Sequence, residues 1–308
     1  MVEKIGNVRL HLDDYPGQDL YSDGEIEDRM LQIAKEYRPE DFDQVVLRAQ
    51  SWPIMYHFSS IRTNILSWYP FKSTDKVLEV GSGCGALTGA VAKRTQAVSC
   101  IELSKKRSLI NAYRNRDRDN IDIFLGNFQD VEKKLPRDFD AITLIGVFEY
   151  ASGYIDSKEP YVDFLKQILS HLKPGGHLLL AIENRLGMKY FAGATEDHEG
   201  TFFEGIEGYP ETSRVHTFSR PELEAILDVA GARKRTFYYP YPDYKFPMTI
   251  YSDDLLPKKG ELLMNLSNFD RRRFVLFDEA KAYDSIVGEG LFPIFSNSFC
   301  LDITGGTL

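Results

Sequence analysis

From residue 76 onward, short apolar runs alternate with amphipathic stretches. Residues 76–80, 97–102, 121–125 and 141–145 carry runs of Val, Leu, Ile, Ala, Cys and Phe interrupted by few polar residues. Runs of this length, bounded by Gly, Asn, Asp or Pro, read as buried strands. Between and after them, the 3.6-residue spacing of apolar positions predicts helices over 86–94, 105–116 and 161–172. A fifth strand is expected at 177–182, a sixth at 235–239 and a seventh at 294–303. The run Ala141-Ile142-Thr143-Leu144-Ile145, apolar but for one threonine, suits a central parallel strand covered on both faces. Strands alternating with helices in this way predict an α/β fold with a doubly wound parallel sheet.

The N-terminal part reads differently. Residues 1–24 mix Gly, Pro and polar residues and are expected to form a short strand or loop arm. Ile26, Met30, Leu31 and Ile33 give residues 25–37 a helical face. Further helix is expected over 42–69, from Val45, Val46 and Leu47 to Ile65, Leu66 and Trp68. The organisation expected is an N-terminal arm and helical cap over 1–75, followed by the alternating domain over 76–308. The rhythm breaks twice within that domain. Residues 185–218 are rich in Gly and aromatics and read as a lid-like insertion; residues 240–290 form a looser excursion. Between the two breaks, residues 221–230 are helical. Ser219 is their expected N-cap, and Glu222 completes a capping box.

Composition narrows the class. The 308 residues are 43% hydrophobic and 13% aromatic, ample for a packed core. A net charge of −9 argues against a broad nucleic-acid footprint. The basic run Lys105-Lys106-Arg107 and the cluster Arg114, Arg116 and Arg118 read as solvated helix faces. Cys84, Cys100 and Cys300 are odd in number and lack metal-ligand spacing, as expected of reduced thiols in a cytoplasmic protein. No signal peptide and no membrane span are expected.

The chemistry concentrates at Val77-Leu78-Glu79-Val80-Gly81-Ser82-Gly83-Cys84-Gly85-Ala86-Leu87-Thr88. This reads as strand, glycine turn and helix start, with the first helix amides directed at a ligand. Gly81, Gly83 and Ala86 satisfy a dinucleotide fingerprint. Glu79, Gly81, Gly83 and Gly85 also match E-x-G-x-G-x-G, so the stretch resembles motif I of the class I S-adenosylmethionine (SAM) methyltransferases. A pyrophosphate favours a bare helix N-terminus, whereas the cationic sulfonium and ammonium of SAM suit an acid such as Glu79. Leu172-Lys173-Pro174-Gly175-Gly176 before an apolar strand also resembles this group, and it shifts the choice from NAD to SAM.

The resemblance covers about residues 76–240. It implies a Rossmann-like sheet of seven strands, the last antiparallel between the fifth and sixth, and SAM as cofactor. Glu102, at the end of the second strand, takes the ribose position. Asn127 or Asp130 takes the adenine amino position, and Phe128 is placed to stack on the ring. Tyr56 and Arg62 precede the first strand, and Arg62 is an apt partner for the SAM carboxylate. After the fourth strand, Glu149 is followed by Tyr150 where relatives often place His. The stretches Ile182-Glu183-Asn184-Arg185-Leu186-Gly187 and Ala192-Gly193-Ala194-Thr195-Glu196-Asp197-His198 resemble a bacterial group associated with surface-polysaccharide loci, as does Phe237-Tyr238-Tyr239-Pro240-Tyr241-Pro242-Asp243-Tyr244. That group is sometimes fused to a glycosyltransferase or kinase-like domain.

These readings imply methyl transfer to a hydroxyl of a carbohydrate or other small molecule. A sugar hydroxyl needs a base. His198, beside Glu196 and Asp197, is the first candidate, with Tyr150, Glu149 and His216 behind it. Consecutive residues rarely converge on one ion, so no metal site is expected. The aromatic positions Phe237, Tyr238, Tyr239, Tyr241, Tyr244 and Phe246 read either as core or as the wall of a substrate site. The alternatives are an N- or carboxyl-methyltransferase, a non-catalytic SAM- or nucleotide-binding module of a glycan-assembly complex, and an NAD-dependent sugar oxidoreductase.

Overall fold

A hairpin within residues 2–11 and a strand at residues 249–252 add three strands to the expected seven. The computed structural model describes residues 1–19, 21–210, 214–264 and 273–305, so parts of the 185–218 and 240–290 segments lie outside the described residues. The chain divides into two compact units, Met1–Leu144 with Ser170–His177, and Ile145–Leu169 with Leu178–Leu308.

The first unit opens with a hairpin of β1 (Val2–Ile5) and β2 (Val8–His11). Val8 and Leu10 are fully buried, while the alternate residues Arg9 and His11 both bond Asp122. Four helices follow: α1 (Ile26–Glu36), α2 (Phe42–Ala49), α3 (Trp52–Phe58) and α4 (Asn64–Ser67). The single helical stretch expected over 42–69 is therefore broken. Gln50 turns left-handed at φ 44°, and Pro53 restarts the chain in the first turn of α3.

The alternating region then supplies β3 (Lys76–Val80), α5 (Thr88–Ala92), β4 (Ala97–Glu102), α6 (Lys105–Arg114), β5 (Ile121–Leu125), α7 (Phe128–Val131) and β6 (Phe139–Ile145). Strand order in this unit is β1-β2-β5-β4-β3-β6. The pairs β2·β5, β5·β4, β4·β3 and β3·β6 are all parallel. Val77, Leu78, Val98, Cys100, Ile121, Ile123, Ile142 and Leu144 fill the core between the layers.

The second unit holds α8 (Ala151–Tyr154), α9 (Pro160–Leu169) and the later part of β7 (Leu172–Glu183), which begins in the first unit. The strand starts five residues before the expected position. A Cβ on Gly176 would lie 2.9 Å from the Phe139 carbonyl, so glycine there lets the Lys173-Pro174-Gly175-Gly176 segment run beside β6. Next come α10 (Met188–Phe191), α11 (Arg220–Val229), β8 (Arg235–Tyr241), β9 (Thr249–Ser252), α12 (Glu279–Gly288), α13 (Phe292–Phe295) and β10 (Ser298–Thr304). Strand order here is β7-β10-β8-β9, with β10 antiparallel to β8. The last strand thus lies between the fifth and sixth of the expected seven, and β9 adds another antiparallel strand.

The capping box at Ser219 and Glu222 forms as expected. Phe237, Tyr239, Tyr241, Tyr244 and Phe246 are buried, so most of the aromatic segment is core, with Tyr239 meeting Phe292 and Phe299 edge-on. All three cysteines are buried and free. Among the described residues no helix is long and apolar enough to cross a membrane.

Candidate functional site

The glycine turn follows β3 directly. The Gly81 amide donates to the Ile101 carbonyl at 2.9 Å and ties the turn to β4. Gly81, Gly83 and Gly85 have φ of 72°, 52° and 74°, a region that costs any other L-residue about 1 kcal/mol or more. The last two differ in their surroundings. A Cβ on Gly85 would fall 2.3 Å from Asn111 Oδ1, whereas one on Gly83 would meet nothing within 4 Å. Gly85 is needed for packing, and Gly83 borders open space. Cys84 between them is buried in a cluster with Met30, Ile33, Ala34, Phe42, Ile54, Phe58 and Ile110. The apolar faces of α1, α2 and α3 are therefore anchored on the glycine turn itself.

Two buried carboxylates flank the turn. Glu102 accepts the Gly83 amide at 2.7 Å and the Ser104 amide at 2.9 Å. Burial raises its pKa, and Arg107 opposes the rise. Glu79 accepts the Thr88 hydroxyl at 2.6 Å, and burial pushes it up to about 7. Its carboxylate is thus directed at the start of α5.

Asn127 ends the β5 loop and caps α7, its side chain accepting the Gln129 amide at 3.2 Å. Phe128 is buried and meets His171 edge-on at 6.4 Å. Asp130 is exposed and 3.8 Å from Lys133. Tyr56 and Arg62 are brought together: the guanidinium lies 4.3 Å from the ring centroid and donates to the hydroxyl at 3.3 Å. Neighbouring His57 is buried, and burial lowers its pKa to about 4.

One feature of this unit was missed in the sequence. Asp19 in the N-terminal arm accepts from the Lys105 amide at 2.6 Å, the Ser104 hydroxyl at 3.0 Å and the Lys106 amide at 3.2 Å. Arg107 pairs with Asp23 and Glu27, and Lys106 with Asp28. The basic run at 105–107 is therefore matched by the arm and α1 instead of lying free on a solvated face. The opposed charge of residues 19–28 and 105–107 was the signal available.

The second unit gathers the acid–base candidates. His198 Nδ1 bonds Glu196 Oε1 at 3.0 Å, and its Nε2 faces Glu149 Oε1 at 3.7 Å. Burial alone would lower the His198 pKa, but the Glu149 and Glu196 carboxylates outweigh it and hold it well above the usual range. Burial raises Glu149. The Tyr150 ring stands perpendicular to His198 at 5.4 Å. The His216 ring is stacked on Tyr209 at 4.9 Å, and its amide donates to the Glu149 carbonyl. Asp197, consecutive with His198, turns the other way to Lys189 and Lys245 at 2.7 and 2.6 Å. Lys245 and Tyr244 both donate to Glu183 Oε1, adding residues whose part in the cluster the sequence pattern did not reveal.

Residues 78–178 match the family model described as a methyltransferase domain. The chain is 25% identical to a ubiquinone biosynthesis O-methyltransferase of Xylella fastidiosa over 50% of its own length and 63% of that protein's. It is also 25% identical to ribosomal RNA small subunit methyltransferase A of Thermotoga neapolitana, over 68% of this chain and 77% of that one. A solved Haemonchus contortus phosphoethanolamine N-methyltransferase 1, in complex with phosphoethanolamine and S-adenosylhomocysteine, aligns with a TM-score of 0.49 at 14% identity. That alignment covers 89% of this chain and 50% of that one. The chain has the Rossmann-like class I methyltransferase fold.

Proposed function

We propose that this protein transfers the methyl group of SAM to a hydroxyl of a carbohydrate or other small molecule. In this reading Gly81, Gly83 and Gly85 form the cradle for the donor, and Glu102 takes its ribose hydroxyls. Asn127 and the buried Phe128 sit at the adenine end. Tyr56 and Arg62 receive the amino-acid moiety, where the guanidinium suits a carboxylate. Glu79 acts through Thr88, setting the start of α5.

The observation that carries the hydroxyl assignment is the buried relay Glu149–His198–Glu196. An alcohol oxygen attacks a sulfonium methyl only as its proton is withdrawn, whereas a carboxylate acceptor needs no base. The acceptor proton passes to the Glu149 carboxylate, beside which His198 stands, and a new C–O bond forms. The sulfur–methyl bond breaks with its electron pair returning to sulfur, which leaves S-adenosylhomocysteine. Tyr150 closes one side of the His198 ring. The likeness of residues 182–187, 192–198 and 237–244 to methyltransferases of surface-polysaccharide loci supports a glycan or nucleotide-sugar acceptor.

The test is a screen of nucleotide sugars and glycans with isotopically labelled SAM, read by mass shift. A labelled product whose methyl sits on oxygen is expected. A methyl found only on nitrogen would overturn the hydroxyl assignment, and no methylated product from any hydroxyl-bearing acceptor would count against it.

A further inference from the structure

Two carboxylate oxygens in the second unit are buried without a partner. Glu149 is 1% exposed and Glu183 fully buried, yet Oε2 of each has no hydrogen-bond partner among the described residues. A bare buried carboxylate oxygen forfeits its hydration with nothing in exchange, at a cost of about 1–3 kcal/mol or more. Both belong to one constellation: a donor atom from each of Glu149, Glu183 and His198 lies within 4.8 Å of the other two.

His198 is set up in the way a metal-binding imidazole is. Glu196 holds Nδ1 at 3.0 Å, which fixes the ring and leaves Nε2 directed at Glu149, 3.7 Å away and beyond hydrogen-bond length. A carboxylate on the far nitrogen is the usual support behind a ligating histidine. Glu196 is anchored in turn, accepting the His198 amide at 2.7 Å and the Glu199 amide at 2.6 Å. Lys245 and Tyr244 donate to Glu183 Oε1 and leave Oε2 without a partner. The expectation of no metal site rested on the consecutive triplet 196–198. Of that triplet, the fold brings only His198 together with Glu149 and Glu183.

We infer that Glu149, Glu183 and His198 bind a divalent transition-metal ion. Donors around an ion at about 2.1 Å are at most about 4.2 Å apart, so closing the site needs side-chain shifts of roughly half an ångström. One imidazole nitrogen with two carboxylate oxygens suits Mn²⁺ or Zn²⁺ better than Ca²⁺ or Mg²⁺, which prefer oxygen alone. Resting on the proposed function, the ion's role is to gather the acceptor hydroxyl and lower its pKa. A carboxylate that binds through one oxygen keeps the other to take the proton.

The site is tested on the full chain without SAM or acceptor, by titrating Mn²⁺ and following free Mn²⁺ by electron paramagnetic resonance, with Zn²⁺ followed by calorimetry. One ion per chain is expected, with Mg²⁺ competing weakly. Glu183→Gln and His198→Ala should each weaken Mn²⁺ at least tenfold while SAM binding, measured separately, is unchanged. Absence of Mn²⁺ and Zn²⁺ binding to the unaltered protein at millimolar concentration overturns the inference, whether or not the variants fold. Equal Mn²⁺ affinity in folded variants overturns it too. Failure to bind SAM would sink the functional reading and leave the metal titration standing.

Discussion

The Glu102 carboxylate accepts the Gly83 amide at 2.7 Å, so the residue that ends β4 also holds the middle of the glycine turn. Glu102→Ala removes this bond, the one from Ser104 and the carboxylate proposed to take the ribose hydroxyls. Charged hydrogen bonds contribute about 1.5–3 kcal/mol each, so SAM affinity should fall roughly 10- to 100-fold. Isothermal calorimetry with SAM and S-adenosylhomocysteine measures this. Unchanged affinity would remove Glu102 from the site.

Gly83 and Gly85 should respond differently to the same change. Gly85→Ala drives a methyl into Asn111 from a left-handed backbone, and the fold should lose several kcal/mol in a urea melt. Gly83→Ala meets no protein atom within 4 Å, so only the backbone strain of about 1 kcal/mol applies. In the proposed donor placement its methyl enters the space SAM occupies, and SAM binding should fall at least tenfold with the fold intact. Full SAM binding by Gly83→Ala would show that the donor lies elsewhere.

The buried Glu79 carboxyl should give a pH-dependent stability with a defined sign. Its folded pKa, raised to about 7 by burial, exceeds the unfolded value near 4.5. The native state therefore holds more protons across that window. The contribution of Glu79 to stability is fully present below about 4.5 and is lost as pH rises through about 7. Relative to Glu79→Gln, the unaltered protein should lose about 2–3 kcal/mol over this range and change little above it. His57, lowered to about 4, runs oppositely, its contribution being lost as pH falls from about 6.5 through 4. Urea melts of the cofactor-free protein and each variant separate the two slopes. A flat difference for Glu79→Gln would contradict its buried, protonated state.

His198→Ala and Glu149→Gln test the relay. General-base contributions are typically about 10²- to 10⁴-fold. Each variant should lose turnover on that scale with SAM affinity unchanged. Near-normal turnover by His198→Ala would return the histidine to a structural role.

The central alternation was legible because its strands are long and apolar. Val77, Leu78, Ile142 and Leu144 are buried as their pattern requires. The pairing of residues 2–11 was not, beyond the short strand expected in the arm, since four-residue strands show too few periods and only Val8 and Leu10 are buried. Residues 42–69 carry enough apolar side chains for one helix, and only Gln50 and Pro53 reveal the break. Glu102 and the glycines showed their place at the turn by their position after strands. The cluster around His198 did not, because Glu149, Glu183 and Lys245 lie far apart in sequence and are joined only by tertiary packing. Asp19, similarly, meets residues 104–106 across more than eighty positions.

Calorimetric titration of the unaltered protein with SAM, S-adenosylhomocysteine and NAD tests the cofactor assignment most directly. One SAM and one S-adenosylhomocysteine per chain, competing for the same site, with no heat from NAD, is the result predicted. Saturable NAD binding without SAM binding would contradict the account.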